Sequence, residues 1–369
     1  MSEWLVGVLL PNVDIRCRIG CHSALLVPHD DPLAIELRTE EKRLNSFLRK
    51  FTDAFGTSVN PTLLLYRKDL PKTFFSQHAL TSFRDAVSIA TIVYNRALEL
   101  ENPRGHRLVY SNSFWLYPWM LDKNNEHLVA YTDDMLSMHD VAKFKGQSSP
   151  EISRKTINDS DIDGPLLAEL LLRWERCYSV RSKKIDWSDL ALFRSLNMAH
   201  QAALMPSADK STFFDYGRSI ALWVSAFEIL VHPKNQNSGL SKVYEVLERV
   251  QWKRKRTSGR RFKVYERNAT RTGILACSLY GQIYRARNEF LHGNEVSRKN
   301  LMVARSQKSL FQCTAPLYRM ALTGFLPLIW NKPIPSTSDL DAFTESLSDS
   351  HDHSRAQRVI EDALIAAIA

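Results

Sequence analysis

The sequence predicts an α+β protein, mixed α/β at its N-terminal end and all-helical beyond, on three observations. Short apolar runs bounded by turn residues alternate with one or two longer segments between Trp4 and Leu100. From Leu166 onward apolar residues recur at steps of three and four, the signature of amphipathic helices. Between these regions, Gly146-Gln147-Ser148-Ser149-Pro150 and the polar run from Asn158 to Pro165 supply turn chemistry suited to a passage between domains. The expected division is residues 1–160, residues 161–330, and a polar linker with a short helix over 331–369.

In the first region Trp4–Leu10, Ser23–Val27 and Pro61–Tyr66 read as strands. Glu40–Phe55 reads as an amphipathic helix, and His78–Leu100 as a long one. Phe114, Trp115, Tyr117 and Trp119 surround Pro118 and precede the turn-forming Asp122-Lys123-Asn124-Asn125. Such aromatics can stack on bases, but with no cations interleaved they read as core or interface residues. In the second region Leu166–Tyr178 is the first helix. Leu192, Leu196, Ala199 and Ala203 stripe a helix beginning near Ser188, and Ile220, Trp223, Val224, Phe227, Leu230 and Val231 stripe one from about Phe213. A fourth helix covers 274–292 and a fifth Leu310–Leu328. Amphipathic helices joined by modest loops make a bundle. Ser336–Arg355 is polar, and Arg355–Ala369 closes the chain as a short apolar-rich helix.

The 369 residues are 44% apolar, ordinary for a globular core, and carry a formal net charge of +9, which favours an anionic partner, nucleic acid first. Five cysteines, Cys17, Cys21, Cys177, Cys277 and Cys313, are odd in number and scattered, which fits a reducing cytoplasm better than a disulfide framework. Cys17, Cys21 and His22 lack a second Cys/His pair to complete a zinc site, and His351-Asp352-His353 lacks a fixed fourth ligand, so no metal or other cofactor is expected. Glu3 precedes the first apolar run without a basic segment, and Ile220–Val231 contains Glu228 and is too short to span a bilayer, so no membrane partner is expected either. The N-terminal half shows no glycine-rich phosphate loop, Walker-type lysine or nucleophile elbow.

The chemistry concentrates in Tyr284-Arg285-Ala286-Arg287-Asn288-Glu289-Phe290-Leu291-His292-Gly293-Asn294. A guanidinium holds phosphate through paired hydrogen bonds, and an imidazole carries a proton near neutral pH. On one helix, Leu275, Leu279, Ile283, Ala286 and Phe290 share the apolar stripe while Tyr284, Asn288 and His292 follow one another on the opposite face. Arg287 is turned about 140° from His292 by the 3.6-residue period, so one helix alone leaves the pair incomplete, and a second copy across a two-fold axis would complete it. Upstream, Lys253-Arg254-Lys255-Arg256 and Arg260-Arg261, with Trp252 and Phe262, suit a polyphosphate chain with unpaired bases. Glu228 sits at the edge of an apolar stripe and needs a partner, either Arg287 or, as the preferred expectation, a structural arginine such as Arg218 or Arg285.

These residues resemble the R-(polar)-x-x-x-H signature of HEPN domains, and the resemblance extends to helix order over about residues 186–330. It runs from Ser219-Ile220-Ala221-Leu222-Trp223-Val224-Ser225-Ala226-Phe227-Glu228-Ile229-Leu230 to the motif itself. The family includes bacterial phage-defence and toxin-like proteins. The resemblance implies a metal-independent endoribonuclease acting as a homodimer. Arg287 and His292 would be catalytic, Asn288 the polar residue after the arginine, and Glu228 and Tyr284 supporting, with RNA as substrate and an antitoxin or phage-derived protein as possible partner. It equally accommodates a non-catalytic scaffold that binds RNA, a nucleotide or a protein.

Overall fold

The computed structural model describes residues 2–53, 55–102, 109–116, 119–121, 128–130, 155–179, 185–205, 213–235, 239–266, 271–326, 328 and 355–369. The architecture is α+β, as the pattern predicts: helices predominate, with a small antiparallel sheet near the N-terminus. Two compact units share the chain, Met1–Val87 with Tyr110–Asp161 and Leu171–Ile185, and Ser88–Val109 with Ile162–Leu170 and Asp186–Ala369. The divisions at Val87 and Leu170 fall inside helices α3 (Gln77–Glu101) and α4 (Gly164–Ser179).

In the first unit, β1 (Trp4–Leu10), β5 (Thr62–Arg67), β4 (Ala24–Val27) and β3 (Ile19–Gly20) form the antiparallel sheet in the order β1-β5-β4-β3. The register puts Leu10 opposite Thr62 and Trp4 opposite Arg67, with an irregularity between Val6 and Val8. Val6, Leu9, Val27, Leu63 and Leu65 pack with Leu37 of α1 (Pro32–Glu40) and Leu44 and Phe47 of α2 (Lys42–Leu48). The single helix expected over Glu40–Phe55 is therefore two helices lying earlier. Asp31 caps α1 by accepting from Leu33 N at 2.9 Å, with Pro32 at the first helical position, a start signal plainly present in the sequence. α2 ends at Leu48, and beyond it Asp53 Oδ1 accepts from Phe55 N and Thr57 N, an Asx-type turn where helix was expected. Two further strands, β2 (Val13–Ile15) and β8 (Lys155–Ile157), pair in parallel. β6 (Trp119–Leu121) and β7 (Leu128–Ala130) pair antiparallel around residues 122–127, which lie outside the described residues, as do Tyr117, Pro118 and 146–154. Of the aromatic cluster, Phe114 is buried and Trp115 half exposed.

The second unit is a bundle whose centre is α6 (Phe213–Leu230), in contact with α5 (Trp187–Ala202), α9 (Leu275–Leu291) and α10 (Leu310–Phe325). The expected stripe holds: Ile220, Trp223, Val224, Phe227 and Leu230 are buried, while Val231 at the helix end is partly exposed. Ser195 Oγ bonds Ala226 O at 2.7 Å and Tyr318 Oη at 2.6 Å, joining three helices. Asp163 accepts from Leu166 N at the start of α4 and pairs with Arg319 of α10, Nε to Oδ2, at 2.7 Å; both side chains are wholly buried. α7 (Leu240–Arg249), the short α8 (Lys255–Ser258) and the hairpin β9 (Phe262–Val264) and β10 (Arg271–Gly273) fill what reads in sequence as a polar connection.

The C-terminal helix α11, residues 355–366, docks on its own unit, burying Ala356, Ile360, Ala363 and Leu364. Its Glu361 carboxylate is buried and accepts from Lys253 N, Arg254 N and Thr257 Oγ1, each at 2.8 Å, and from Gln357 Nε2 at 2.6 Å. Four donors offset the cost of removing that charge from water. His351 and Asp352 lie outside the described residues, and no helix among the described residues is long and apolar enough to cross a membrane.

Candidate nucleic-acid site at the end of the motif helix

The motif helix runs from Leu275 to Leu291, within one residue of the expected span at each end. Leu275, Leu279, Ile283 and Ala286 are buried as the periodicity requires. Phe290 is only half buried, because its ring lies edge-on to Phe214, itself 56% exposed, at 6.4 Å. His292 closes the helix, its N–H bonding Asn288 O at 3.1 Å, and Gly293 turns the chain away at φ 71°, a value L-residues rarely adopt. The His292 imidazole is exposed.

Arg287 is half buried and held by its neighbours on α9. Its Nη1 donates to Asn288 Oδ1 at 2.8 Å, and its guanidinium carbon lies 5.7 Å from the centre of the Tyr284 ring. Nε is buried with no acceptor. Asn288 therefore orients the arginine, and Tyr284 supplies the surface on which the cation rests. Arg287 and His292 share no hydrogen bond, consistent with the phase difference between their positions.

Glu228 of α6 is half buried, and burial pushes its carboxyl up while the Arg287 cation pulls it down. The preferred expectation of a structural partner is overturned. Arg218 pairs with Asp215 at 3.2 Å and Arg285 with Glu289 at 2.8 Å, and both are spent on their own helices. Arg287 is the cation whose field reaches Glu228, though the two are not within ion-pair distance. Close by in charge, Tyr280 is fully buried, its hydroxyl unpartnered and its pKa raised well above the ordinary value, first by burial and then by Glu228.

The basic run divides in two. Lys253 and Arg254 are tied to α11 through their backbone amides, and the Arg254 guanidinium makes a two-point pair with Asp362 at 2.5 and 2.8 Å. Lys255, Arg256 and Arg261 are exposed, and among the described residues no carboxylate pairs with them; Arg260 lies over the Phe262 ring at 5.1 Å. Trp252 is half buried with Nε1 donating to Leu247 O at 2.9 Å, which fixes it in the fold.

Sequence reasoning missed the element that carries these cations to the motif helix. The β9–β10 hairpin lies along α9: Ser278 Oγ donates to Lys263 O at 3.2 Å, and the Tyr265 ring stands 6.1 Å from the Tyr284 ring. Gly281 permits the approach, since a Cβ there would stand 3.0 Å from Tyr265 N and 2.8 Å from Tyr244 Oη. The detectable signal was alternation: Arg261, Lys263 and Tyr265 fall on one face of an extended chain.

Cys17 and Cys21 are free thiols. Burial raises both pKa values, that of Cys21 to about 12, which is unfavourable for a thiolate ligand. Among the described residues no three His, Cys, Asp or Glu side chains converge as a metal cluster. Compared with protein-family models, with curated proteins and with solved structures, the chain matches none.

Proposed function

We propose that residues 186–330 form a HEPN-like bundle that cleaves RNA without a metal ion, as a homodimer, in the manner of the phage-defence and toxin-like proteins its motif resembles. The observation that carries this reading is Arg287. Its guanidinium is oriented by Asn288 and Tyr284, bonds no side chain but Asn288 among the described residues, and stands five residues along the chain from an exposed imidazole. The ribose 2′-hydroxyl attacks the adjacent phosphorus, the P–O5′ bond breaks, and the products are a 2′,3′-cyclic phosphate and a 5′-hydroxyl. Arg287 stabilises charge on the non-bridging oxygens, and His292 takes the proton from the nucleophile or gives one to the leaving oxygen. Positioned proton transfer contributes on the order of 10²–10⁴-fold, and losing one preorganised donor costs about 10²–10³-fold.

The test is cleavage of single-stranded RNA by wild type, Arg287→Ala and His292→Ala in excess EDTA. Wild type is expected to cleave, and each variant to lose the activity while staying folded. Because helix phase separates the two groups within one chain, mixing the two inactive variants is expected to restore about a quarter of the activity, through mixed dimers that hold one intact Arg–His pair across the two-fold axis. Cleavage abolished by the chelator, or persisting in both variants, overturns the mechanism. RNA binding without cleavage under any condition favours the non-catalytic scaffold.

A further inference from the structure

We infer that Tyr265, backed by Tyr284, is a stacking platform for one unpaired base, and that Arg261 and Lys263 hold the strand leading to it. The placement of that base beside the phosphate at Arg287 rests on the ribonuclease reading above. Four observations point to it. Lys263 is exposed and, like Arg261, has no ion-pair partner among the described residues. Both alternate with Tyr265 along β9 and its flanks, so two cations and one aromatic ring share a face of the strand. Tyr265 and Tyr284 are each partly exposed, their rings 6.1 Å apart and tilted by 40°, whereas Tyr244 and Tyr280 of the same aromatic cluster are fully buried. Finally, the Arg287 guanidinium lies over Tyr284, so the row runs Arg261, Lys263, Tyr265, Tyr284, Arg287 from free cation to motif arginine.

The backbone supports that row independently of the rings. Tyr244 Oη donates to Tyr265 O at 2.7 Å, and Ser278 Oγ to Lys263 O, so the strand is fastened through its carbonyls and the side chains of Lys263 and Tyr265 stay available. A polyanion with flexible, unpaired bases fits this face: cations in extended register follow phosphates, and an aromatic ring accepts any base. A duplex keeps its bases stacked inside and offers none to Tyr265.

The experiment uses the full-length His292→Ala protein, so that binding is read without cleavage, and a fluorescent single-stranded RNA of about 12 nucleotides in which one abasic residue is moved along the chain. Tyr265→Ala is expected to weaken binding on the order of ten- to hundredfold while Tyr265→Trp retains it. One abasic position is expected to weaken binding to the parent protein and to leave Tyr265→Ala unaffected, because the same stack is removed from either side. Arg261→Gln with Lys263→Gln is expected to flatten the log–log salt dependence by about 1.4. Equal binding by Tyr265→Ala, or abasic effects identical in both proteins, overturns the inference, as does failure of the folded protein to bind RNA. Tyr265-dependent binding with no cleavage by wild type upholds the platform and overturns the ribonuclease reading. Cleavage that requires His292 with binding indifferent to Tyr265 does the reverse.

Discussion

Replacing Gly281 by alanine separates the stability of the bundle from the approach of the hairpin. The new methyl would stand 2.8 Å from Tyr244 Oη and 3.0 Å from both Tyr265 N and Tyr265 Cβ. The hydroxyl is the far end of a side chain, but Tyr244 is buried and bonded to Tyr265 O, so it has little room to move. Relief comes most easily by shifting the hairpin away from α9 by a few tenths of an ångström or more. Overpacking of this kind costs about 1–3 kcal/mol, and alanine in place of glycine inside a helix returns about 0.8–1 kcal/mol. The net loss of unfolding free energy is expected to be no more than about 2 kcal/mol, small enough to leave the protein folded. RNA affinity is expected to fall on the order of tenfold, because the Tyr265–Tyr284 pair is what the displaced hairpin disrupts. The salt slope is expected to stay unchanged, since Lys255, Arg256, Arg261 and Lys263 remain. Urea unfolding with RNA anisotropy at two salt concentrations reads all three quantities. Unchanged affinity in Gly281→Ala, alongside weakened affinity in Tyr265→Ala, would show that hairpin position is irrelevant and would refute the packing argument.

Two further outcomes concern buried charge. Arg319→Met strands the Asp163 carboxylate and is expected to destabilise by about 3–5 kcal/mol, with Arg319→Met plus Asp163→Asn recovering part of it; a single-variant loss under about 1 kcal/mol in denaturant unfolding contradicts the burial seen here. Glu228 has its carboxyl raised above its ordinary value of 4.5, first by burial, so the folded state holds that proton more tightly than the unfolded state. Its contribution is then fully present below pH 4.5 and is lost as pH rises through the raised value. Melting temperatures of Glu228→Gln should therefore gain on wild type with rising pH, and a difference constant across the range rules the account out.

Much of the bundle was legible because its helices bury one face each. Periodicity located α4, α5, α6, α9 and α10 to within a few residues at most ends, and it placed Leu279 and Ile283 inward. It failed where a local signal outranked the stripe. The run Glu40–Phe55 contains enough apolar residues for a helix, yet Asp31-Pro32 starts one earlier, the next ends at Leu48, and the Asp53 turn occupies the end of the run. The hairpin escaped for a different reason. Its strands are three residues each with one cation apiece, and β9 is received by Ser278 and Gly281, more than a dozen residues further along the chain. Within the candidate site, residue types and helix phase gave Arg287, Asn288 and His292. The partner of Glu228 did not follow, because Arg218 and Arg285 find their carboxylates three and four residues away on their own helices.

The second unit also shows what it does with polar groups that serve the fold. Asp163, Arg319 and Thr323 satisfy one another, Glu361 collects four donors, and Ser195 bonds two other helices. Around Arg287, Arg287 Nε and Tyr280 Oη are buried without partners, as His232 Nδ1 and Gln357 Oε1 are elsewhere in the unit, and Glu228 is half buried with its nearest influential cation beyond ion-pair reach. Each unpaired buried group costs about 1–3 kcal/mol, and apolar residues of similar size would remove that cost. An anionic ligand at Arg287 would bond the guanidinium where Asn288 leaves it open, on a cation that Asn288 and Tyr284 already hold in place.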